Sequence, residues 1–110
     1  MLDGPISPFV EKMLDFTAKR QQALSTNLAN LDTPGYKSKD VKFTDELSAA
    51  GSSTQMIEDQ SNPKPNGNTV DLESQMTKLN QNGLQYVLLV QYMSSEVKSL
   101  RYSISEGTKG

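Results

Sequence analysis

Apolar residues recur in the same rhythm near both ends of this chain, and a polar stretch without that rhythm separates them. The first stripe runs Val10, Leu14, Thr17, Gln21, Leu24, Leu28, Leu31. Its steps alternate between four and three residues, which is a heptad seam rather than a broad core face. Thr17 and Gln21 make the seam polar at its centre. Ser7 is a good N-cap and Pro8 suits the first helical position, where its missing N–H is not needed. The helix should stop before Pro34, because the residue preceding a proline is pushed out of the α region. About 25 residues then give a rod of roughly 37 Å.

The C-terminal stripe is longer: Leu72, Met76, Leu79, Gly83, Tyr86, Val90, Met93, Val97, Leu100, Ile104. Asn68 or Thr69 can cap its start, and Asp71 and Glu73 suit the positive end of the helix dipole. A helix of about 37 residues spans roughly 55 Å, so some 18 Å of it should project past the first helix. Its middle, Leu84 to Met93, is apolar on most faces, and one partner helix covers only one face. The uncovered area should meet other subunits. Gly83 on the seam is either a glycine tolerated in a helix interior at about 1 kcal/mol or a point where a neighbouring backbone approaches closely.

Between the stripes, residues 39–44 alternate polar and apolar and suit one short extended segment. Residues 51–68 are rich in Ser, Asn, Pro and Gly and read as a flexible loop with a turn at Asn66-Gly67. The expected architecture is all-α: long N- and C-terminal heptad helices form a coiled-coil-like pair, joined by an irregular polar middle with one short extended segment. The expected divisions are residues 1–37 (helix and Pro-Gly joint), 38–68 (polar middle) and 69–110 (second helix), with both ends forming one assembly domain.

The break in the first helix is the most specific local feature. Asn27 and Asn30 lie about a turn apart, Ala29 sits between them, and Thr33-Pro34-Gly35-Tyr36 follows. The two amides could bond carbonyls released where the helix ends. Pro second and Gly third is the type II turn preference, since glycine accepts φ > 0. Tyr36 should pack back on the helix or on a neighbour. These residues read as a fixed joint.

Composition narrows the chemistry. The chain has 110 residues, 35% of them apolar, and carries a net charge of −2. Its mean hydropathy is −0.57 and its pI is near 5.0. A core built from this chain alone would be thin. The scattered cations argue against a nucleic-acid surface. There is no cysteine and no histidine, so thiolate metal sites and the commonest general base are missing. Glu58, Asp59, Asp71 and Glu73 have no catalytic companions, so neither an enzyme nor a cofactor is expected. No run approaches the roughly 20 apolar residues of a membrane span. Met1 to Pro5 lacks the basic and apolar regions of a cleaved secretory signal, so export without one is the expectation.

Residues 28–37, LANLDTPGYK, resemble the N-terminal signature of the bacterial flagellar rod and hook proteins. Residues 66–76, NGNTVDLESQM, are similar to the segment that opens the C-terminal helix of the proximal rod proteins. Lys39 to Phe43 and Leu84-Gln85-Tyr86 resemble one branch of those proximal subunits more than its companions. Leu31 departs from the family pattern, where a small residue is usual, and so does Gln75, where an acidic residue is common.

The resemblance implies a structural subunit of the basal-body rod, lying in the periplasm and delivered by the flagellar type III apparatus. It implies as partners other rod proteins, copies of the chain itself, the export gate and the membrane-ring base, with no nucleic acid and no membrane span. The seam residues would be the assembly interface: Val10, Leu14, Leu24, Leu28 and Leu31 on the first helix, and Leu72 through Ile104 as given above on the second. The alternative is a small secreted helical hairpin or export adaptor acting as a dimer. Secreted hairpins of that type carry a Trp-x-Gly turn, whereas this chain has no tryptophan.

Overall fold

A computed structural model describes residues 8–45, 52–59 and 61–109. The expected cap at Ser7 lies outside the described residues. Helix α1 runs Pro8–Ala29, strand β1 Lys39–Asp45, strand β2 Ser52–Glu58 and helix α2 Leu72–Lys109. The helices hold 22 and 38 residues, about 33 and 57 Å of rod.

Helix α1 ends where its backbone tightens. The Asn30 N–H is shared between the Thr26 and Asn27 carbonyls at 3.2 and 3.0 Å, and Leu31 N donates to Leu28 O at 3.2 Å. Such i→i+3 bonds use up carbonyls that a helix terminus leaves unpaired. Helix α2 begins later than the capping reading of Asn68 or Thr69 allows. Asp71 precedes its first residue, and Asp71 O accepts from Gln75 N at 3.0 Å. Asn68 and Thr69 are withdrawn from capping because their side chains bind other segments, as described below.

The helices pack antiparallel. Asn27 near the end of α1 meets Gln75 near the start of α2, Thr17 and Gln21 meet Asn82, and Phe9 and Val10 line a cleft with Leu89 and Tyr92. Beyond Met93, α2 runs on for roughly 25 Å past the described part of α1. The chain measures 71 × 30 × 14 Å.

The middle departs from the expected irregular segment. β1 and β2 form an antiparallel hairpin with register Lys39↔Glu58 through Asp45↔Ser52. Val41 opposes Met56 and Phe43 opposes Thr54, so these four share one face of the hairpin. That face packs on α1: Phe43 lies 5.5 Å from Phe16 and 6.0 Å from Phe9 between ring centroids. Phe16, Ala23 and Val41 form the buried apolar cluster, flanked by Met13 and Phe43. Helix α1 therefore buries two stripes. Val10, Thr17 and Leu24 face α2, Phe16 and Ala23 face the hairpin, and Asn27 reaches both.

Charge ties α1, β1 and α2 to the residue that follows β2. Arg20 of α1 holds Asp40 of β1 through Nε at 2.8 Å and Nη2 at 3.1 Å. Lys78 of α2 lies 3.8 Å from Asp40 and 2.8 Å from Asp59. All four side chains are at most 23% exposed, and bidentate, partly buried pairs of this kind hold geometry better than solvated surface pairs. Asp59 is thus a fastening of the hairpin to α2, not a loop residue with little to pack against.

Leu24 is fully buried between the helices. Leu24→Ala should cost about 2–5 kcal/mol, whereas Gln22→Ala on the exposed side of α1 should stay within about 0.5 kcal/mol. Urea unfolding followed by circular dichroism measures both, and equal midpoints would contradict the packing described.

Candidate assembly site

The joint is built around the side chain of Asn27, which is fully buried. Its Nδ2 donates to Lys39 O at 2.6 Å and to Gln75 Oε1 at 2.9 Å. Its Oδ1 accepts from Lys39 N at 2.9 Å and from the Tyr36 hydroxyl at 3.2 Å. One amide thus joins α1, the first residue of β1, the chain after the Pro-Gly turn and α2, with both donors and both lone pairs used. The expectation that both asparagines bond released helix carbonyls is corrected for Asn27. Asn30 does bond one: its Nδ2 donates to Thr26 O at 2.9 Å, and Thr33 Oγ1 donates to Asn30 Oδ1 at 3.0 Å.

Gly35 has φ +73° and Tyr36 N donates to Thr33 O at 3.2 Å, a turn that needs a left-handed residue at its third position. Tyr36 folds back on α1 through its hydroxyl. Ala29 is exposed and takes no side-chain part in this network.

The joint is closed by residues 64–70. Asn68 is fully buried; its Nδ2 donates to Asn30 O at 2.8 Å and Thr33 O at 2.6 Å, and its Oδ1 accepts from Val70 N at 2.7 Å. Thr69 Oγ1 accepts from the buried Ser38 N at 2.8 Å, and Thr69 N donates to Tyr36 O at 2.9 Å. Lys64 Nζ reaches Leu31 O at 2.8 Å, and Gly35 N donates to Asn66 O at 3.0 Å. Gly67, at φ +81°, faces Gly35 so closely that a Cβ on it would sit 3.5 Å from Gly35 Cα. The two segments singled out in sequence, 28–37 and 66–76, are therefore the two halves of one clasp.

The seam between the helices is polar. Gln75 and Asn82, one heptad apart, are buried against α1. Asn82 Nδ2 donates to Thr17 O at 2.9 Å and Gln21 Oε1 at 3.2 Å. Gln75 Nε2 and Asn82 Oδ1 are buried and find no hydrogen-bond partner among the described residues. Neither residue belonged to the expected interface. The signal available was that both fall on a heptad position beside the apolar stripe.

The apolar stripe of α2 runs beside this seam, and Gly83 and Tyr86 line a cleft there with Thr17, Ala18 and Gln21 of α1. Leu72, Met76, Tyr86, Leu100 and Ile104 are exposed, and Leu79, Gly83, Val90, Met93 and Val97 are half-buried. On α1, Val10 and Leu24 are buried and Leu14 and Leu28 are half-buried, while Leu31, expected on the helix, lies half-buried in the turn that follows it. Leu84, Val87 and Leu88 leave a second exposed apolar face on α2. The Tyr92 hydroxyl bonds the Glu96 carboxylate, whose acceptor and charge raise its pKa above the ordinary phenol value. Among the described residues, no cluster of acidic side chains is placed to hold a metal ion, and no helix is long and apolar enough to cross a membrane.

Residues 15–37, from the middle of α1 through the Pro-Gly turn, match the flagella basal body rod protein family. The chain is 29% identical over 127 aligned positions to the flagellar basal body rod protein FlgB of Escherichia coli K12, covering 90% of this chain and 92% of that protein. It is 29% identical over 118 positions to FlgB of Bacillus subtilis 168, covering 89% and 92%. Against FlgB of Yersinia enterocolitica the identity is 26% over 136 positions, covering 96% and 97%.

Removing the Asn27 amide leaves several buried groups unpaired at about 1–3 kcal/mol each, so Asn27→Ala should destabilise the chain by about 3 kcal/mol or more. Gly35→Val should cost about 1–3 kcal/mol through backbone strain, since a Cβ at Gly35 meets nothing within 4 Å. Gly83→Ala, in a helix interior with open space above it, should instead stabilise the isolated chain by about 1 kcal/mol. Thermal unfolding of the three variants checks the order, and an Asn27→Ala protein as stable as the parent would remove Asn27 from the centre of the joint.

Proposed function

The chain belongs to the flagellar basal-body rod protein family, in its FlgB-type branch, and from that premise we propose how it builds the proximal rod. It is a structural subunit of the bacterial flagellar basal body and not an enzyme. In the proposed mechanism the clasp around Asn27 fixes the helix pair as a rigid unit. The apolar heptad stripes of the terminal helices then pack against neighbouring rod subunits, coiled-coil fashion, to form the axial drive shaft.

One observation carries this reading. The chain joins its own two helices through Thr17, Gln75 and Asn82, and leaves the apolar stripe Leu72 to Ile104 exposed or half-buried along its length. Apolar surface of that extent on a small chain favours association. Heptad spacing suits knobs-into-holes contact with other helices rather than with a flat surface. Copies of the chain, other rod proteins, the export gate and the membrane-ring base are the proposed neighbours. Delivery to a periplasmic rod by the flagellar export apparatus belongs to the same proposal.

The test places a charge on the stripe. Val90→Asp or Met93→Asp would bury an unpaired carboxylate in the assembled interface, which costs several kcal/mol. Glu58→Ala, on the exposed edge of the hairpin, should be neutral. Recovery of each variant in purified basal bodies is the measurement. Loss of the stripe variants with retention of Glu58→Ala is expected, and equal incorporation would remove the stripe as an interface.

A further inference from the structure

Two complementary surfaces lie on different faces of the molecule. The first is a cleft of about 400 Å³ between the outer side of α1 and the hairpin. Ala23, Val41 and Met56 give it an apolar floor, with Lys19, Lys39 and Tyr36 around it. Both lysines are held loosely. Lys19 pairs with Asp15 at 3.0 Å at more than half exposure and reaches Thr54 Oγ1 at 3.4 Å, while Lys39 lies 5.6 Å from the centroid of the Tyr36 ring. The cleft is thus apolar inside and cationic around its opening, on a chain whose net charge is −2.

The second surface is the first turn of α2. Leu72 and Met76, one turn apart, are 50% and 46% exposed, and Asp71 and Glu73 beside them are exposed. This is an apolar pair flanked by acids, the inverse of the cleft in charge and its match in polarity. At about 100° per residue, Leu72 and Met76 lie roughly 60–100° round α2 from Gln75, while Lys19 and Thr26 lie roughly 160–180° round α1 from Thr17. Ala23 and Thr26 stand level with Gln75 in the antiparallel pair. The plug and the cleft are therefore at one end of the molecule and open on different faces, roughly at right angles to each other.

We propose that the cleft of one subunit receives Leu72 and Met76 of a second copy, with Asp71 and Glu73 of that copy meeting Lys19 and Lys39. The contact is heterologous, because plug and socket are different surfaces of one chain. Each added copy leaves one plug and one socket for the next, so subunits line up side by side, closing as a ring or rising as a helix according to the rotation per step. The cleft thereby gives a partner to the first turn of the α2 stripe. The inference rests on the rod reading above and specifies which two faces meet.

The chain has no cysteine, so introduced thiols report the contact without background. Gln22 lines the cleft. Purified full-length Gln22→Cys protein is mixed at high concentration with Met76→Cys protein and oxidised with molecular oxygen and a copper catalyst. Disulfide-linked pairs should form about tenfold more in the mixture than in either protein alone, and the Lys19→Glu/Lys39→Glu changes in the first protein should reduce them about tenfold. Glu73→Lys in the second protein should then restore them. Equal linkage within each single variant, or no linkage in the mixture, overturns the proposal, as does reversal of the lysines without effect. The parent chain is counted in purified basal bodies in parallel. Its presence there without a 22–76 cross-link defeats the plug and socket alone, and its absence defeats the rod reading itself.

Discussion

The fold depends on one buried amide. Asn27 sits where four segments converge, and its side chain supplies hydrogen bonds to each of the three it does not belong to. A carboxylate there would lose both donors, and a leucine would leave the Lys39 backbone at the start of β1 and the Gln75 oxygen without these partners. A hydrogen-bonded amide is directional, so it sets the angle at which α1, the hairpin and α2 leave the joint, where apolar packing would set only their proximity. Gly35 and Gly67, both in the left-handed region, let two turns lie against each other around it.

The same division runs along the helices. Within the chain, the α1–α2 seam relies on Thr17, Gln75 and Asn82, with Leu24 between the amide layers. Between chains, the proposed contacts rely on the apolar stripe that the seam leaves aside. Polar groups in a helix seam specify register at some cost in stability, and the unpartnered Gln75 Nε2 and Asn82 Oδ1 are part of that cost. A small chain with a thin core thereby fixes its own shape with directional bonds and leaves many of its large apolar side chains exposed.

Much of this was legible in the residues. Heptad steps announced both helices and Pro8 marked the start of α1, while its end came at Ala29, before Pro34-Gly35, because the backbone tightens at Asn30 and Leu31. The second strand was hidden because Ser52 to Glu58 has the composition of a loop, and its pairing with β1 comes from the face that Val41 and Phe43 lay on α1. Asn68 read as a cap because local spacing is all that a sequence displays, whereas its partners, Asn30 and Thr33, lie across the clasp. Periodicity located the α2 stripe but not the face that α1 would take, since an exposed apolar stripe and a buried one have the same spacing. Asp59 looked idle in a polar stretch until Lys78 and Ser38 were brought beside it.

The central claim is that a rigid clasp presents an apolar heptad stripe to neighbouring rod subunits. A side-chain-resolution map of intact basal bodies tests it most directly. The account predicts Asn27 still bonded to Lys39 and Gln75 within each subunit, and Val90, Met93, Val97, Leu100 and Ile104 covered by helices of adjacent subunits. A proximal rod in which those five side chains face solvent, or in which the clasp has come apart, would contradict it.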